Sequence, residues 1–167
     1  LTERVARELF LVADTPQTMV RLSAKELEKR IYPVGFYRNK AQVIRGVSKR
    51  IIGEFGGKVP RRLNDLLSLK GVGQKTANLV RGIAFGIPAI CVDTHVHRIS
   101  NRLGWVKSRT PQEAEKMLKN LLPRRYWIRL NTLFVTFGQN ICTPLSPWCS
   151  RCSVQELCRR CGVKKSR

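Results

Sequence analysis

The sequence predicts an all-α protein, and two patterns carry that prediction. Apolar residues recur at helical spacing in nearly every segment, whereas the alternation of a half-buried strand is absent. Helix-start signals punctuate these segments, since Ser23-Ala-Lys-Glu26 and Thr110-Pro-Gln-Glu113 both read as capping boxes. With 167 residues and 43% hydrophobic content, the chain is long enough for one well-packed domain or two small ones.

The predicted helices follow one another with short breaks at proline, glycine or capping residues. They cover residues 2–12, a stretch starting at Pro16, then 23–31, 37–54, 61–69, 74–85, 93–103, a stretch starting at Thr110, and 126–140. The non-helical stretch 87–92 is the predicted domain boundary, which gives domains of residues 1–88 and 89–167.

The charge balance favours a nucleic-acid partner. Lys and Arg outnumber Asp and Glu by 32 to 11, so the formal net charge is +21. A field of this sign attracts a polyanion and makes binding strongly dependent on salt. Acidic lipid could satisfy the same charge, but no apolar run approaches membrane-spanning length, and no helix pairs a basic face with a wholly apolar one.

A cysteine loop near the C-terminus predicts a metal centre. Its spacing is C-x6-C-x2-C-x5-C, formed by Cys142, Cys149, Cys152 and Cys158. Only the central pair has the gap of a zinc knuckle, and the wider flanking gaps suit a loop around something larger than one ion. A 4Fe-4S cluster is therefore favoured, with tetrahedral zinc as the rival and disulfides as the plain alternative. We expect Cys91 to be a buried thiol and Cys161 not to be a ligand, with competition between Cys161 and Cys158 as the alternative.

The turn Gly71-Val72-Gly73 separates two predicted helices. Because neither glycine has a side chain, a phosphate can approach the amides at the start of the second helix, where the helix dipole also favours an anion. Such a turn is often only a corner between helices. In a strongly basic helical chain with a cysteine loop, the reading as a DNA contact is favoured.

Lys75 and Asp93 are the candidate reactive pair. Lys75 lies in the first helical turn after the glycines, where the positive helix end favours a neutral amine able to attack a sugar C1′. The helix climbs about 16 Å from Lys75 to Gly86 at ~1.5 Å per residue, and the following seven residues can return about 23 Å. Asp93 can therefore face Lys75 and stabilise positive charge on the sugar. The plain readings are a solvated lysine and a helix N-cap.

Three motifs together resemble endonuclease III, a base-excision DNA glycosylase of the helix-hairpin-helix superfamily. They are Leu69-Lys-Gly-Val-Gly-Gln-Lys75-Thr-Ala, Val92-Asp93-Thr-His95-Val and the cysteine loop. The resemblance covers the chain from about Leu1 to Cys158. It implies a helical barrel containing a helix-hairpin-helix motif at about 61–85, a smaller domain with a 4Fe-4S loop at 142–158, and an active site in the cleft between them.

The resemblance also implies an activity. Lys75 matches the Schiff-base nucleophile and Asp93 the catalytic carboxylate, which indicates a bifunctional glycosylase and AP lyase. Its substrates would be oxidised pyrimidines such as thymine glycol in damaged double-stranded DNA, with strand cleavage by β-elimination. We expect an intracellular monomer acting at DNA. The weighed alternatives are a mismatch or adenine glycosylase, which Lys75 disfavours, and a non-catalytic cluster-bearing DNA-binding module.

Further site residues follow from the same resemblance. The hairpin contacts would be Lys70, Gly71, Val72, Gly73 and Gln74, with Lys70 standing where the family often has proline. Phe36 lies in a segment similar to the family's wedge loop and would fill the space left by a flipped base, with an ordinary core position as the alternative. His95 would line the base pocket or serve a structural hydrogen bond. Since the family has a stretch preceding the equivalent of Leu1, we expect the natural chain to be longer.

Overall fold

The computed structural model describes residues 1–167 and contains helices without β-strands, which confirms the predicted all-α class. The helices are α1 Thr2–Phe10, α2 Pro16–Arg21, α3 Ala24–Ile31, α4 Tyr37–Phe55, α5 Leu63–Ser68, α6 Gln74–Phe85, α7 Thr94–Leu103, α8 Pro111–Leu121 and α9 Trp127–Asn140. A 3₁₀ turn, Arg124–Tyr126, directly precedes α9, and a second one, Cys149–Arg151, lies within the cysteine loop. No helix is long and apolar enough to cross a membrane.

The predicted helix starts agree closely with the structure because their caps are local. Ser23 Oγ accepts a hydrogen bond from Glu26 N at 3.2 Å, and Glu26 Oε2 accepts one from Ser23 N at 2.7 Å. Thr110 begins α8 with a second capping box. The predicted first helix was too long: α1 ends at Phe10, since Leu11 and Val12 are 87% and 48% exposed and have no core to pack against.

The chain forms two compact units, residues 1–72 and 73–167. In the first unit, α2 and α3 pack against α4, and α1 packs against α3. These four helices enclose an apolar core made of Val5, Leu9, Ala13, Met19, Leu27, Ile31 and Ala41. Leu66 of α5 is buried as well, so the short helix before the glycine turn is anchored by an apolar side chain.

In the second unit, α7 packs against α8 and α9, and α6 packs against α9. The core of this unit consists of Ile90, Val92, Val96, Ile99, Leu103, Val106, Ala114, Leu118, Leu130 and Phe134. The boundary between these compact units lies in the glycine turn, and the predicted domain boundary at residues 87–92 stays a prediction. The buried Asn78 of α6 donates to Ile90 O at 2.9 Å, so α6 and the 87–92 segment belong to one unit.

Candidate functional site

Lys75 is an exposed residue in the first turn of α6. Gly73 is the N-cap of this helix and offers no side-chain acceptor, while the Ala77 amide donates to Gly73 O at 2.9 Å. The amides of the first turn therefore have no acceptor within the helix, and they leave the positive helix end available to an anion. Lys75 thus presents its amine beside a ready anion-binding position.

Asp93 is the N-cap of α7, as its plain reading predicted. Its Oδ1 accepts hydrogen bonds from His95 N at 2.9 Å and Val96 N at 2.8 Å. Both bonds use one carboxylate oxygen, which fixes the orientation of the group and leaves Oδ2 outside the cap. Since the side chain is only half-buried, capping is compatible with a chemical role.

Lys75 and Asp93 both lie near the thiol of Cys91. Cys91 is buried as predicted, and this burial raises the pKa of its thiol to about 11. The carboxylates of Asp93 and Glu115 also raise this pKa, whereas Lys75 lowers it. Lys75 also lines a cavity of about 260 Å³ together with Val92, the residue preceding Asp93. Lys75 and Asp93 therefore both influence the same buried thiol, and their pairing in one site stays a prediction.

Two side-chain amides, one buried and one partly buried, hold the segment that leads to Asp93. Asn78 Nδ2 donates to Ile90 O at 2.9 Å, and Asn131 Nδ2 of α9 donates to Cys91 O at 3.2 Å. Sequence reasoning missed both residues. Asn78 lies on the buried face of α6, where a lone polar residue three positions after Lys75 was the one available signal.

The two glycines of the turn serve different purposes. Gly71 has a φ of +87°, and a Cβ there would lie 2.6 Å from Val43 Cγ1, so both backbone conformation and packing require glycine. Gly73 is extended, with a φ of −93°, and a Cβ there would meet open space. Only Gly73 therefore offers the unobstructed approach predicted for both. Lys70 beside the turn is exposed, and Val72 and Gln74 are partly buried.

Phe36 is 85% exposed, so its alternative assignment to the core is wrong. It lies at the N-cap of α4 with a left-handed backbone, φ 58°. Lys40 places its Nζ 5.6 Å from the centre of the ring, and the same ammonium donates to Gly35 O. Phe36 thus exposes a large apolar ring to solvent, and its left-handed backbone conformation is unfavourable for a residue with a Cβ.

The four predicted cysteine ligands line one partly open cavity of about 420 Å³. Their thiols are free, as are those of Cys91 and Cys161. Cys161 is exposed and does not line the cavity, and its exclusion from the ligand set stays a prediction. The structure contains no group of three or more His, Cys, Asp or Glu side chains placed to hold a single metal ion.

Arginines from α7 organise the start of the cysteine loop. Arg102 is 9% exposed, places Nη1 3.4 Å from Cys142 Sγ, and donates to Thr143 O at 2.7 Å. Arg98 Nη2 donates to Cys142 O at 2.9 Å and lies 3.1 Å from His95 Nδ1. His95 therefore has a structural hydrogen bond, and its place in a base pocket stays a prediction.

The sequence and structure are similar to those of DNA repair proteins. Residues 1–124 match the HhH-GPD superfamily base excision DNA repair protein family. The chain is 47% identical over 157 residues to endonuclease III of Thermotoga maritima, covering 94% of this chain and 74% of that protein. It is 46% identical over 152 residues to the chloroplastic endonuclease III homolog 2 of Arabidopsis thaliana, of which it spans 39%.

The fold is similar to a solved endonuclease III structure as well. The structure of a trapped endonuclease III–DNA covalent intermediate, an estranged-adenine complex, superimposes with a TM-score of 0.88 at 40% identity. The match covers 94% of this chain and 74% of that one. A thermostable thymine-DNA glycosylase shares the fold with a TM-score of 0.84 at 24% identity.

Proposed function

Because the chain belongs to the HhH-GPD superfamily of base excision DNA repair proteins and is of the endonuclease III type, we propose that it removes oxidised pyrimidines such as thymine glycol and then cuts the strand by β-elimination. The predicted family and the predicted enzyme class, a DNA glycosylase and AP lyase, are confirmed at the family level. The lesion, the residues and the order of steps are the proposal.

The observation that carries this proposal is the placement of Lys75. Its amine starts from the uncapped, positive end of α6, and its side chain lines the same cavity as Val92, next to Asp93. Attack on carbon uses the lone pair of the amine nitrogen, which forms the new bond. Lysine at this position is what separates a bifunctional glycosylase from one that only releases the base.

The reaction begins with a base extruded from the duplex, because the sugar carbon is not accessible within the stack. The Lys75 amine attacks C1′, the bond from C1′ to the base nitrogen breaks, and the base leaves with that electron pair. Asp93 stabilises the positive charge that develops at C1′ and accepts the proton lost from the amine. Opening of the sugar then gives a Schiff base between Nζ and C1′. Loss of a C2′ proton expels the 3′ oxygen and cuts the strand.

The duplex would be held by the glycine turn and by Phe36. The open face of Gly73 and the unpaired amides after it suit a phosphate, with Lys70 exposed close by in the chain. Phe36 has the exposed apolar ring needed to enter the space that a flipped base leaves. We propose damaged double-stranded DNA as the partner, a monomer as the acting species, and an intracellular location at DNA.

We also propose that Cys142, Cys149, Cys152 and Cys158 hold a 4Fe-4S cluster. The four thiols line one cavity, so all four face a common space, as ligation of a single cluster requires. The guanidinium beside Cys142 supplies positive charge against the thiolates. When bound, the cluster would cross-link the loop and order it, while the excision chemistry remains with Lys75 and Asp93.

A matched pair of cysteine variants tests the ligand set. We expect Cys158→Ser to lower iron and sulfide content and visible absorbance strongly, because one of four ligands is lost. Cys161→Ser, an exposed cysteine outside the cavity, should retain both. A colourless protein carrying zinc instead of iron would contradict the cluster proposal, and equal losses in the two variants would contradict the ligand assignment.

Borohydride trapping tests the proposed reaction. The protein is incubated with a duplex carrying one thymine glycol and reduced, which converts a Schiff base into a permanent crosslink. Wild-type protein should form the adduct, and Lys75→Gln should form none because the amide cannot attack C1′. Lys107→Gln, which removes another exposed lysine of the second unit, is the control and should trap normally.

Each contrary outcome has a distinct meaning. An adduct that persists in Lys75→Gln would move the nucleophile to another residue. Tight duplex binding by the wild-type protein without any adduct on thymine glycol or abasic DNA would overturn the bifunctional mechanism and favour a non-catalytic DNA-binding module.

A further inference from the structure

We infer that Asn78 is a positioning residue that sets the distance between Lys75 and Asp93 by tying the helix of the amine to the segment of the carboxylate. The inference rests on the proposed roles of Lys75 and Asp93. Asn78 lies on α6, three residues after Lys75, and is 2% exposed. A side chain this deeply buried has no route to DNA, so its effect must pass through other residues.

Both ends of the Asn78 amide are engaged. Its Nδ2 donates to Ile90 O at 2.9 Å, and its Oδ1 accepts from Gln74 Nε2 at 3.2 Å. The second bond fixes which end of the amide faces Ile90. Gln74 and Asn78 are four residues apart on one helix, so their side chains lie on the same face and are hydrogen-bonded along the first turn, which also carries Lys75.

Through its Nδ2, Asn78 contacts the segment that precedes Asp93. Residues 87–93 form neither helix nor strand, so their position depends on side-chain hydrogen bonds as well as on packing. Ile90 lies three residues before Asp93 and is fully buried, and Asn131 holds the adjacent Cys91 O from the other side. Of the two hydrogen bonds that hold this segment, the one from Asn78 comes from α6, the helix that also carries the proposed nucleophile Lys75.

Loss of the hydrogen bond from Asn78 has a specific expected cost. Asn78→Ala removes the donor, leaves Ile90 O buried without it, and lets the segment shift relative to α6. A displacement of about 1 Å at a reacting group can cost on the order of 100-fold in rate. We therefore expect Asn78→Ala to slow single-turnover base excision by about 10- to 100-fold while duplex affinity changes by less than about twofold.

A double-mutant cycle with Asp93→Asn tests whether Asn78 acts through Asp93. If it does, Asn78→Ala should slow excision in the wild-type background and have little further effect in the Asp93→Asn background. Rates are expressed per folded molecule, measured by the amplitude of a saturating duplex-binding titration. Asn101→Ala is the control, because Asn101 also clamps a loop of this unit, through Ser108, but not the segment before Asp93. Its excision rate should be unchanged.

Asn131→Ala provides a second route if Asn78→Ala does not fold. It loosens the same segment from α9 and should show a smaller loss that also vanishes in the Asp93→Asn background. Losses that multiply with Asp93→Asn, or an equal loss in Asn101→Ala, would overturn the positioning role. Failure of the proposed function looks different: Asp93→Asn or Lys75→Gln alone would leave excision intact.

Discussion

Phe36 combines two costs that a purely structural residue would avoid. Its side chain is 85% exposed, and its backbone lies in the left-handed region, which costs an L-residue about 1–2 kcal/mol. Unfavourable conformations of this kind concentrate at functional sites, where the surrounding structure holds them in place.

Phe36→Gly should therefore separate stability from activity. Glycine tolerates the left-handed backbone, so we expect the free energy of unfolding to be unchanged or to rise by up to about 1 kcal/mol, the lost cation–π contact with Lys40 partly offsetting the gain. Base excision should fall at least about tenfold, because an apolar side chain no longer occupies the space of the flipped base. Urea unfolding and single-turnover excision measure the two quantities.

The control for this variant is Leu11→Ala, which removes another exposed apolar side chain of the first unit. It should leave both excision and stability close to wild type. If Phe36→Gly excised thymine glycol at the wild-type rate, Phe36 would not be the wedge.

At the level of single residues, the sequence predicted what depends on local chemistry. Asp93 was recognisable as an N-cap, and its Oδ1 indeed accepts from two amides at the start of α7. Asn78 was not recognisable, because its partner Ile90 lies twelve residues away and a single polar residue on a buried face has no periodic signature. The exposure of Phe36 could not be predicted either. Whether its ring lies in the core or in solvent depends on the backbone conformation at the N-cap of α4, which the sequence pattern does not specify.

The start of α6 is the element whose geometry allows the sharpest test of DNA contact. Gly71 and Gly73 flank one residue, yet only Gly71 needs a positive φ and only Gly71 contacts Val43. We expect Gly71→Ala to destabilise the fold by about 2–3 kcal/mol through strain and overpacking. Gly73→Ala should cost only about 0.5–1 kcal/mol, because glycine is preferred over alanine at an N-cap but no clash or strain is added.

DNA affinity should show the opposite pattern for the Gly73 variant. A methyl group at Gly73 projects into the space through which a phosphate would reach the first amides of α6, so duplex binding should weaken by about 10-fold without loss of fold. Unfolding in urea and equilibrium binding on the same samples provide the comparison. Wild-type affinity in Gly73→Ala would show that this helix end does not hold a phosphate.

Helix boundaries followed from the sequence where a cap or glycine marks them. The predicted range 74–85 for α6 coincides with the structure because Gly73 and Gly86 enclose it. The prediction for α1 extended to Val12 because apolar residues continue past Phe10, and a sequence pattern does not distinguish apolar residues that are buried from those that remain exposed. The predicted range 61–69 for α5 was also too long, because Arg62 is the N-cap and the first helical residue is Leu63.

At the scale of the whole molecule, the predicted fold class is confirmed, whereas the predicted domain boundary stays a prediction. A break in helical pattern at residues 87–92 suggested a boundary there, but that segment is held by amides from α6 and α9. A non-helical connection within a unit and a linker between domains look alike in sequence. Long-range hydrogen bonds, such as those from Asn78 and Asn131, distinguish the two only in the structure. The similarity to endonuclease III proteins confirms the fold class without depending on that boundary.

The net charge of +21 makes the whole molecule, and not only its motifs, a determinant of DNA affinity. A protein that neutralises 6–10 phosphates releases their counterions, so the logarithm of the association constant should fall with the logarithm of salt concentration with a slope of about −5 to −9. Affinity for an undamaged duplex should therefore drop by about 10³-fold or more between 50 and 200 mM salt.

Single-lysine variants assign part of that slope to the glycine turn. If Lys70 contacts a phosphate, Lys70→Gln should reduce the magnitude of the slope by about 1 and weaken damaged and undamaged duplexes equally, because a phosphate contact carries no sequence information. Lys107→Gln also removes one exposed positive charge and should leave the slope within about 0.3 of wild type, since long-range charge alone contributes weakly once salt screens it. Equal changes in the two variants would mean that the overall charge, and not a docked hairpin, determines how the protein holds DNA.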